Sequence, residues 1–199
     1  MKISWALIAA YVIFWLWYTP LGGPLTANEI DQYVATLEAR NADKAAIKQL
    51  RAFAENDDGG SFIMVNALDL KDTLEPPSGM PADSAADDVM DVYVEHIFPA
   101  LFARASHPVI AGDAIFTAMD IVGIEGAESW DSAGLVRYRS KRDLLEIASN
   151  PAFGEKHDYK VAALEKTIAF PITTRMNLGD PRLILGLLTI IGVLLARRS

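Results

Sequence analysis

Three histidines are the side chains best suited to proton transfer, because imidazole has an unperturbed pKa near neutrality. His96 falls on the predicted inward face of a helix, where it could act as a general base or as a haem ligand. It could equally be a core or rim histidine bonded to a backbone carbonyl. His107 precedes a proline at a predicted strand start, and His157 lies in the charged stretch 156–160, which is typical of a solvated face. His96 is therefore the histidine that we predict at a site.

Two arginines and a tyrosine alternate along a predicted strand, as Arg137, Tyr138 and Arg139. Because successive side chains of a strand point to opposite faces, one face would present guanidinium groups and the other a phenol. Guanidinium groups suit an anionic substrate, since they bind carboxylate or phosphate through paired hydrogen bonds. The same pattern also suits a cross-strand salt bridge at a dimer interface, and both interpretations stay open. The candidate catalytic residues are His96, Arg137 and Tyr138.

The sequence lacks the motifs that several kinds of catalytic and metal-binding site require. Neither H-x-x-x-H nor H-E-x-x-H occurs, so no metal site is predicted. A Ser-His-Asp triad and a phosphate-binding loop are also excluded, because G-x-S-x-G and a glycine-rich strand-to-helix turn are missing. The chain has no cysteine, which excludes disulfides and thiol catalysis. The acidic clusters at 57–58 and 83–91 lack the calcium-loop pattern and are predicted to be solvated.

Apolar segments at both ends of the chain, 3–18 and 183–196, predict two transmembrane helices. Each segment is shorter than the roughly 20 apolar residues that a bilayer requires, so the prediction depends on flanking residues and on a slightly thinned bilayer. We place an N-terminal anchor at 1–25 and a C-terminal anchor at 183–199. A cleaved signal peptide is the alternative for the first segment. An amphipathic or buried helix is the alternative for the second.

The basic residues near these segments predict a topology. Lys2 is the only charge before the first segment, and Arg197 and Arg198 follow the second, so both termini are expected in the cytoplasm. The predicted location is the bacterial inner membrane, with the central domain in the periplasm. The chain has a net charge of −8, and several of its basic residues belong to the two anchors, so the central domain is strongly acidic. Such a surface repels phosphate backbones, and no nucleic-acid partner is expected.

The part between the anchors predicts an α+β fold. Thr26 and Glu29 have the capping-box spacing at the start of a helical segment, 26–60. The domain that follows, 61–174, is joined to the second anchor by a linker, 175–182. Its predicted elements are strand 61–70, helix 87–105, strands 107–123 and 130–139, helices 140–148 and 154–166, and strand 167–173. The predicted fold class is a ferredoxin-like β-α-β-β-α-β domain flanked by N- and C-terminal transmembrane helices.

The segment from Phe62 to Ile172 resembles the dimeric α+β barrel superfamily and, within it, the EthD-like and stress-responsive small domains. The stretches that carry this resemblance are Met64-Val65-Asn66, 99–112, 136–140, 150–153 and 157–164, and the resembling segment covers a little over half of the chain. The resemblance implies a small-ligand cleft between the sheet and its helices. It also implies a homodimer, because the second face of the sheet would otherwise leave apolar surface exposed.

Two classes of function stay open. The first is a noncatalytic, membrane-tethered, periplasmic module that binds a small molecule or an inner-membrane protein partner, with no cofactor. The alternative is a cofactor-independent or haem-linked monooxygenase-type enzyme that uses the cleft. Under either hypothesis the candidate ligand-binding residues are His96, Tyr93, Asn66 and Arg137.

Overall fold

Four strands form one antiparallel sheet in the computed structural model, which describes residues 2–198. The strands are β1 (Phe62–Leu70), β2 (His107–Asp113), β3 (Ser132–Tyr138) and β4 (Leu164–Ile172), and their order in the sheet is β2-β3-β1-β4. β1 lies between β3 and β4 and pairs antiparallel with both. This order is that of the ferredoxin-like split motif, so the predicted β-α-β-β-α-β core is confirmed.

Seven helices lie within the described residues. They are α1 (Lys2–Tyr18), α2 (Ala27–Ala39), α3 (Lys44–Glu55), α4 (Ala86–Phe102), α5 (Lys141–Ser149), α6 (Pro151–Ala163) and α7 (Pro181–Ala196). The helices α4, α5 and α6 cover one face of the sheet, because the alternate residues Phe62, Met64 and Leu68 of β1 pack into their cores. Pro99 lies inside α4 without ending it.

The helices α2 and α3 form a hairpin that packs beside α5. The buried apolar side chains of the hairpin form one cluster with Leu145 of α5. The hydroxyl of Thr26 accepts a hydrogen bond from the Glu29 backbone N–H at 3.3 Å, and the Glu29 carboxylate accepts one from the Thr26 backbone N–H at 2.8 Å. The capping box that the sequence predicts is therefore present. Arg142 of α5 ties the hairpin to the domain through a salt bridge of 2.9 Å to Glu29.

The two terminal helices correct the predicted architecture. α1 has 17 residues and α7 has 16, which is about 25 Å at 1.5 Å per residue and less than the roughly 30 Å of a bilayer core. Residues 19–25, which were expected to extend the first span, are not helical. Within residues 2–198 no helix combines the length and apolar character that a membrane crossing needs. The transmembrane anchors predicted at 1–25 and 183–199 are therefore wrong.

Other predictions depended on those anchors. The inner-membrane location, the cytoplasmic termini, the periplasmic central domain and the membrane-tethered module are wrong for the same reason. Met1 and Ser199, the outermost residues of the two predicted anchors, lie outside the described residues. Instead of spanning a bilayer, α1 and α7 pack against each other. The Tyr11 hydroxyl of α1 donates a hydrogen bond of 3.0 Å to the Arg182 carbonyl of α7.

The second strand is shorter than predicted. β2 ends at Asp113 instead of continuing to residue 123, and its register shifts between Pro108 and Ile110. Beyond Asp113 the chain bonds to its own returning segment, since Ala118 N–H donates to the Glu128 carbonyl at 2.8 Å. Residues 114–131 therefore form a loop between β2 and β3, and the part of it that was predicted as strand is not in the sheet. β4 in turn begins three residues earlier than predicted, at Leu164, because α6 ends at Ala163.

Candidate functional site

A cleft of about 350 Å³ lies between the sheet and the helices α4 and α6. Its wall is mainly apolar. The side chains that form this wall include Met64, Leu68 and Val136 from the sheet and Met90, Ile97, Leu101 and Phe153 from the helices. They lie there because alternate residues of β1 and β3 point to the face of the sheet that the helices cover, and one apolar side of each helix points back toward the sheet.

Four ionisable side chains interrupt the apolar wall of the cleft. Tyr93 comes from α4, Tyr138 from β3, and His157 and Lys160 from α6. The Tyr93 and His157 ring centroids are 6.1 Å apart, and Lys160 Nζ lies 5.5 Å from the centroid of the Tyr93 ring. In the part of the chain that the structure describes, none of these four side chains makes a hydrogen bond or a salt bridge to the protein. Their polar atoms are thus available to a ligand.

Burial in the apolar cleft shifts the pKa values of all four groups. Burial lowers the pKa of Lys160. It also lowers the pKa of His157, and the nearby positive charge of Lys160 lowers that pKa further. Burial raises the pKa of Tyr138 to about 12 and raises that of Tyr93 as well. Removal from water disfavours the charged form of each group, which explains both directions. At neutral pH the tyrosines are hydrogen-bond donors and His157 is a neutral base.

A fifth polar group, the Asn66 side chain, is held by the sheet itself. Its amide Nδ2 donates to the carbonyl of Met64 at 3.2 Å and to that of Gly134 at 3.4 Å. Because both donor contacts go to backbone, the amide oxygen is the free end of this side chain. Asn66 therefore adds an acceptor to a cleft whose tyrosines are donors.

The structure brings together only some of the predicted site residues. Tyr93, Asn66 and Tyr138 all line the cleft. His96 is half-buried on α4 but does not line the cleft, whose residues from that helix are Met90, Tyr93, Val94, Ile97, Phe98 and Leu101. Arg137 lies on the opposite face of the sheet, where it contacts α1. Tyr138 and Arg137 thus face opposite ways, as their alternation predicts.

Sequence reasoning missed two residues of the cleft, His157 and Lys160. The stretch 156–160 looks like a solvated face, yet α6 turns Phe153, His157 and Lys160 toward the sheet. These residues are spaced by four and three, which places them on one side of a helix. That spacing, starting from an aromatic residue, was the signal available in the sequence.

Metal ligands do not cluster in this structure. Within residues 2–198 no group of three His, Cys, Asp or Glu side chains could hold a metal ion. The only histidine that lines the cleft is His157, and it stands beside a lysine and a tyrosine rather than a second ligand. A haem contact through His96 stays a prediction from the sequence.

No family model and no curated protein matches the sequence. Among solved structures, the chain is similar to a protein of unknown function from Rhodopseudomonas palustris, seen in two crystal structures, one of them of the methylated protein. The TM-scores are 0.54 and 0.51 at 21% identity, and the likeness covers 69% and 68% of this chain and 95% of that one. At this identity the likeness shows the fold alone.

Two further structures are less similar. A dimeric protein of unknown function with a ferredoxin-like fold from Bacteroides fragilis has a TM-score of 0.34 at 14% identity, covering 58% of this chain and 97% of that one. A cofactor-independent oxygenase from Streptomyces nogalater has a TM-score of 0.35 at 13% identity, covering 61% and 99%. Scores this low carry no argument about activity. The fold is α+β and ferredoxin-like, with the strand order β2-β3-β1-β4.

Proposed function

We propose that the protein binds a small, mainly apolar molecule that carries an acidic group, in the cleft between the sheet and the helices α4 and α6. The observation that carries this proposal is Lys160, a half-buried amine in the apolar cleft that has no carboxylate partner within residues 2–198. An unpaired ammonium in an apolar site is costly, so a ligand that supplies the counter-ion is strongly favoured over one that does not.

The rest of the cleft suits the remainder of such a ligand. A volume of about 350 Å³ is in the range of small-molecule sites, and its wall of aliphatic and aromatic side chains would bury an apolar skeleton. Tyr93 and Tyr138 would donate hydrogen bonds to the acidic group beside Lys160, and the Asn66 amide oxygen would accept one from a ligand hydroxyl. A carboxylate, a phenolate and an enolate all match this set of donors.

A second candidate function is cofactor-independent proton transfer in the same cleft. The observation that favours it is the lowered pKa of His157, which keeps the imidazole neutral and able to accept a proton. In this reaction a C–H or O–H bond of the ligand breaks, its proton goes to His157, and the electron pair stays on the ligand as an enolate or phenolate. The Lys160 ammonium would stabilise the anion that forms.

We also propose that the protein is a homodimer. Alternate residues of β4 point away from the helices, and Ile168, Phe170 and Ile172 are 43%, 46% and 37% exposed on that face. An exposed apolar sheet face of this kind is stabilised when a second sheet packs on it. The placement among the EthD-like and stress-responsive small domains is likewise a proposal, supported by the stretches Met64-Val65-Asn66 and 150–153.

The acidic-ligand proposal is tested by calorimetric titration with three probes of one skeleton: phenylacetate, methyl phenylacetate and phenethylamine. The expected order of affinity at pH 7 is acid, then ester, then amine, because only the acid pairs with Lys160. Val94→Phe fills the cleft and should weaken phenylacetate binding, whereas Val161→Phe, on the exposed side of α6, should not. Equal affinity for the acid and the amine would contradict the proposal.

A further inference from the structure

Arg137 is a buried charge without a counter-ion. It is only 3% exposed, and its guanidinium lies 3.8 Å from the centroid of the Tyr18 ring. Nη1 donates to the Ala105 carbonyl at 2.7 Å and Nη2 donates to the Tyr18 carbonyl at 3.0 Å. Within residues 2–198 no carboxylate lies within 4.0 Å of this guanidinium. Backbone carbonyls satisfy two of its donors but leave its positive charge unpaired.

A second pocket, of about 240 Å³, lies beside Arg137 on the face of the sheet away from the cleft. We call it the arginine pocket. Besides Arg137 it is lined by Ser61, Ile63, Thr173, Thr174, Arg175, Met176, Asn177, Asp180 and Arg182. The hydroxyls of Ser61, Thr173 and Thr174 make no hydrogen bond to any described residue, so they are free to donate. The pocket thus places three neutral donors close to a buried cation.

The charges that line the arginine pocket add to a positive total. Its one carboxylate, Asp180, is paired with Arg182 at 2.6 Å and also accepts the Arg182 backbone N–H at 2.8 Å. Three arginines against one aspartate leave a formal charge of about +2, by counting the side chains that line the pocket, in a chain whose net charge is −8. A positive pocket in an acidic protein concentrates anions at that point of its surface.

We propose that the arginine pocket binds a small oxyanion of the phosphate or carboxylate class. Arg137 supplies the buried charge, Arg182 supplies the second guanidinium, and the hydroxyls of Thr173 and Thr174 donate to the remaining oxygens. Two guanidinium groups and neutral donors match the several acceptor atoms of an oxyanion. The site is independent of the cleft, because Arg137 and Tyr138 are successive residues of β3 and point to opposite faces.

The test is a calorimetric titration of the full chain with inorganic phosphate and, separately, with acetate, at constant ionic strength in a chloride buffer. Saturable binding of either anion at one site per chain is expected. Arg182→Gln should weaken it by about tenfold or more, because it removes a charged donor and leaves Asp180 unpaired. Arg51→Gln is the matched control, since Arg51 pairs with Asp31 at 2.8 Å and does not line the pocket. This control should bind like the wild type.

Arg137→Gln removes the buried charge itself, but it also removes backbone contacts and could unfold the protein. Arg175→Gln avoids this problem, because Arg175 is an exposed residue of the pocket rim, and it should weaken binding by about threefold. The proposal is overturned if neither anion binds saturably, or if Arg182→Gln and Arg175→Gln both bind like the wild type. An equal loss in Arg51→Gln would overturn it as well, since binding would then follow overall charge rather than this pocket.

Discussion

Replacing Lys160 with methionine should separate ligand binding from stability. Methionine keeps the length of the side chain but removes the charge that an acidic ligand would pair with. A charge-assisted hydrogen bond contributes about 1.5 to 3 kcal/mol, so phenylacetate should bind roughly 10- to 100-fold more weakly. The protein loses little in exchange. The Lys160 Nζ lies 5.5 Å from the centroid of the Tyr93 ring, a cation–π contact that contributes about 0.5 kcal/mol.

The same variant should be more stable than the wild type at neutral pH, and the sign follows from proton linkage. Burial lowers the pKa of Lys160 below its ordinary 10.5, so the unfolded chain binds a proton more tightly than the folded one. Below the folded pKa the cost of burying the charge is fully present, and it disappears as pH rises to about 10.5. The stability advantage of Lys160→Met should therefore shrink as pH rises through that window.

The assays are calorimetry with phenylacetate at pH 7 and thermal unfolding from neutral pH to about pH 10. Lys156→Met is the matched control, because Lys156 lies on the same helix, 5.1 Å from the Tyr159 ring, and outside the cleft. It should bind phenylacetate like the wild type. If Lys160→Met also binds like the wild type, or if both variants lose affinity equally, Lys160 is not the group that pairs with the acid.

Three further predictions concern stability and assembly. Thr26→Ala should lower the free energy of unfolding by about 1 kcal/mol in chemical denaturation, because it removes the capping hydrogen bond to Glu29 N–H. Asp143→Asn should cost about 2 to 3 kcal/mol in the same assay, since Asp143 is buried and pairs with Arg139 at 2.6 Å; a loss below about 0.5 kcal/mol would contradict this. Phe170→Glu should convert the proposed dimer to monomers in sedimentation velocity, and an unchanged mass would refute the sheet-to-sheet interface.

Much of the fold was predictable because its signals are local. The capping box at Thr26, the apolar run after Ser61 and the alternation through Tyr138 each depend on a few neighbouring residues, and each is observed. The opposite orientations of Arg137 and Tyr138 follow from the same period of two. Signals of this kind need no knowledge of what packs against them.

The errors come from features that depend on tertiary context. An apolar terminal helix looks alike in sequence whether it crosses a bilayer or packs on a second helix, and the first span was overestimated because the prediction extended it through residues 19–25. The positions of His157 and Lys160 in the cleft were also not predicted, because the charged residues around them are typical of a solvated helix face. Which side of α6 meets the sheet is set by the packing of Phe153 and Ala163, and not by average polarity.

The most direct test is the titration of Lys160 itself by NMR, in protein labelled with ¹³C at the lysine ε carbons. The signal of Lys160 is identified by its loss in Lys160→Met. In the free protein it should titrate below 10.5, and phenylacetate should move its pKa upward because the bound anion favours the ammonium. A Lys160 that titrates at 10.5 or above and does not respond to phenylacetate would contradict the acid-binding cleft.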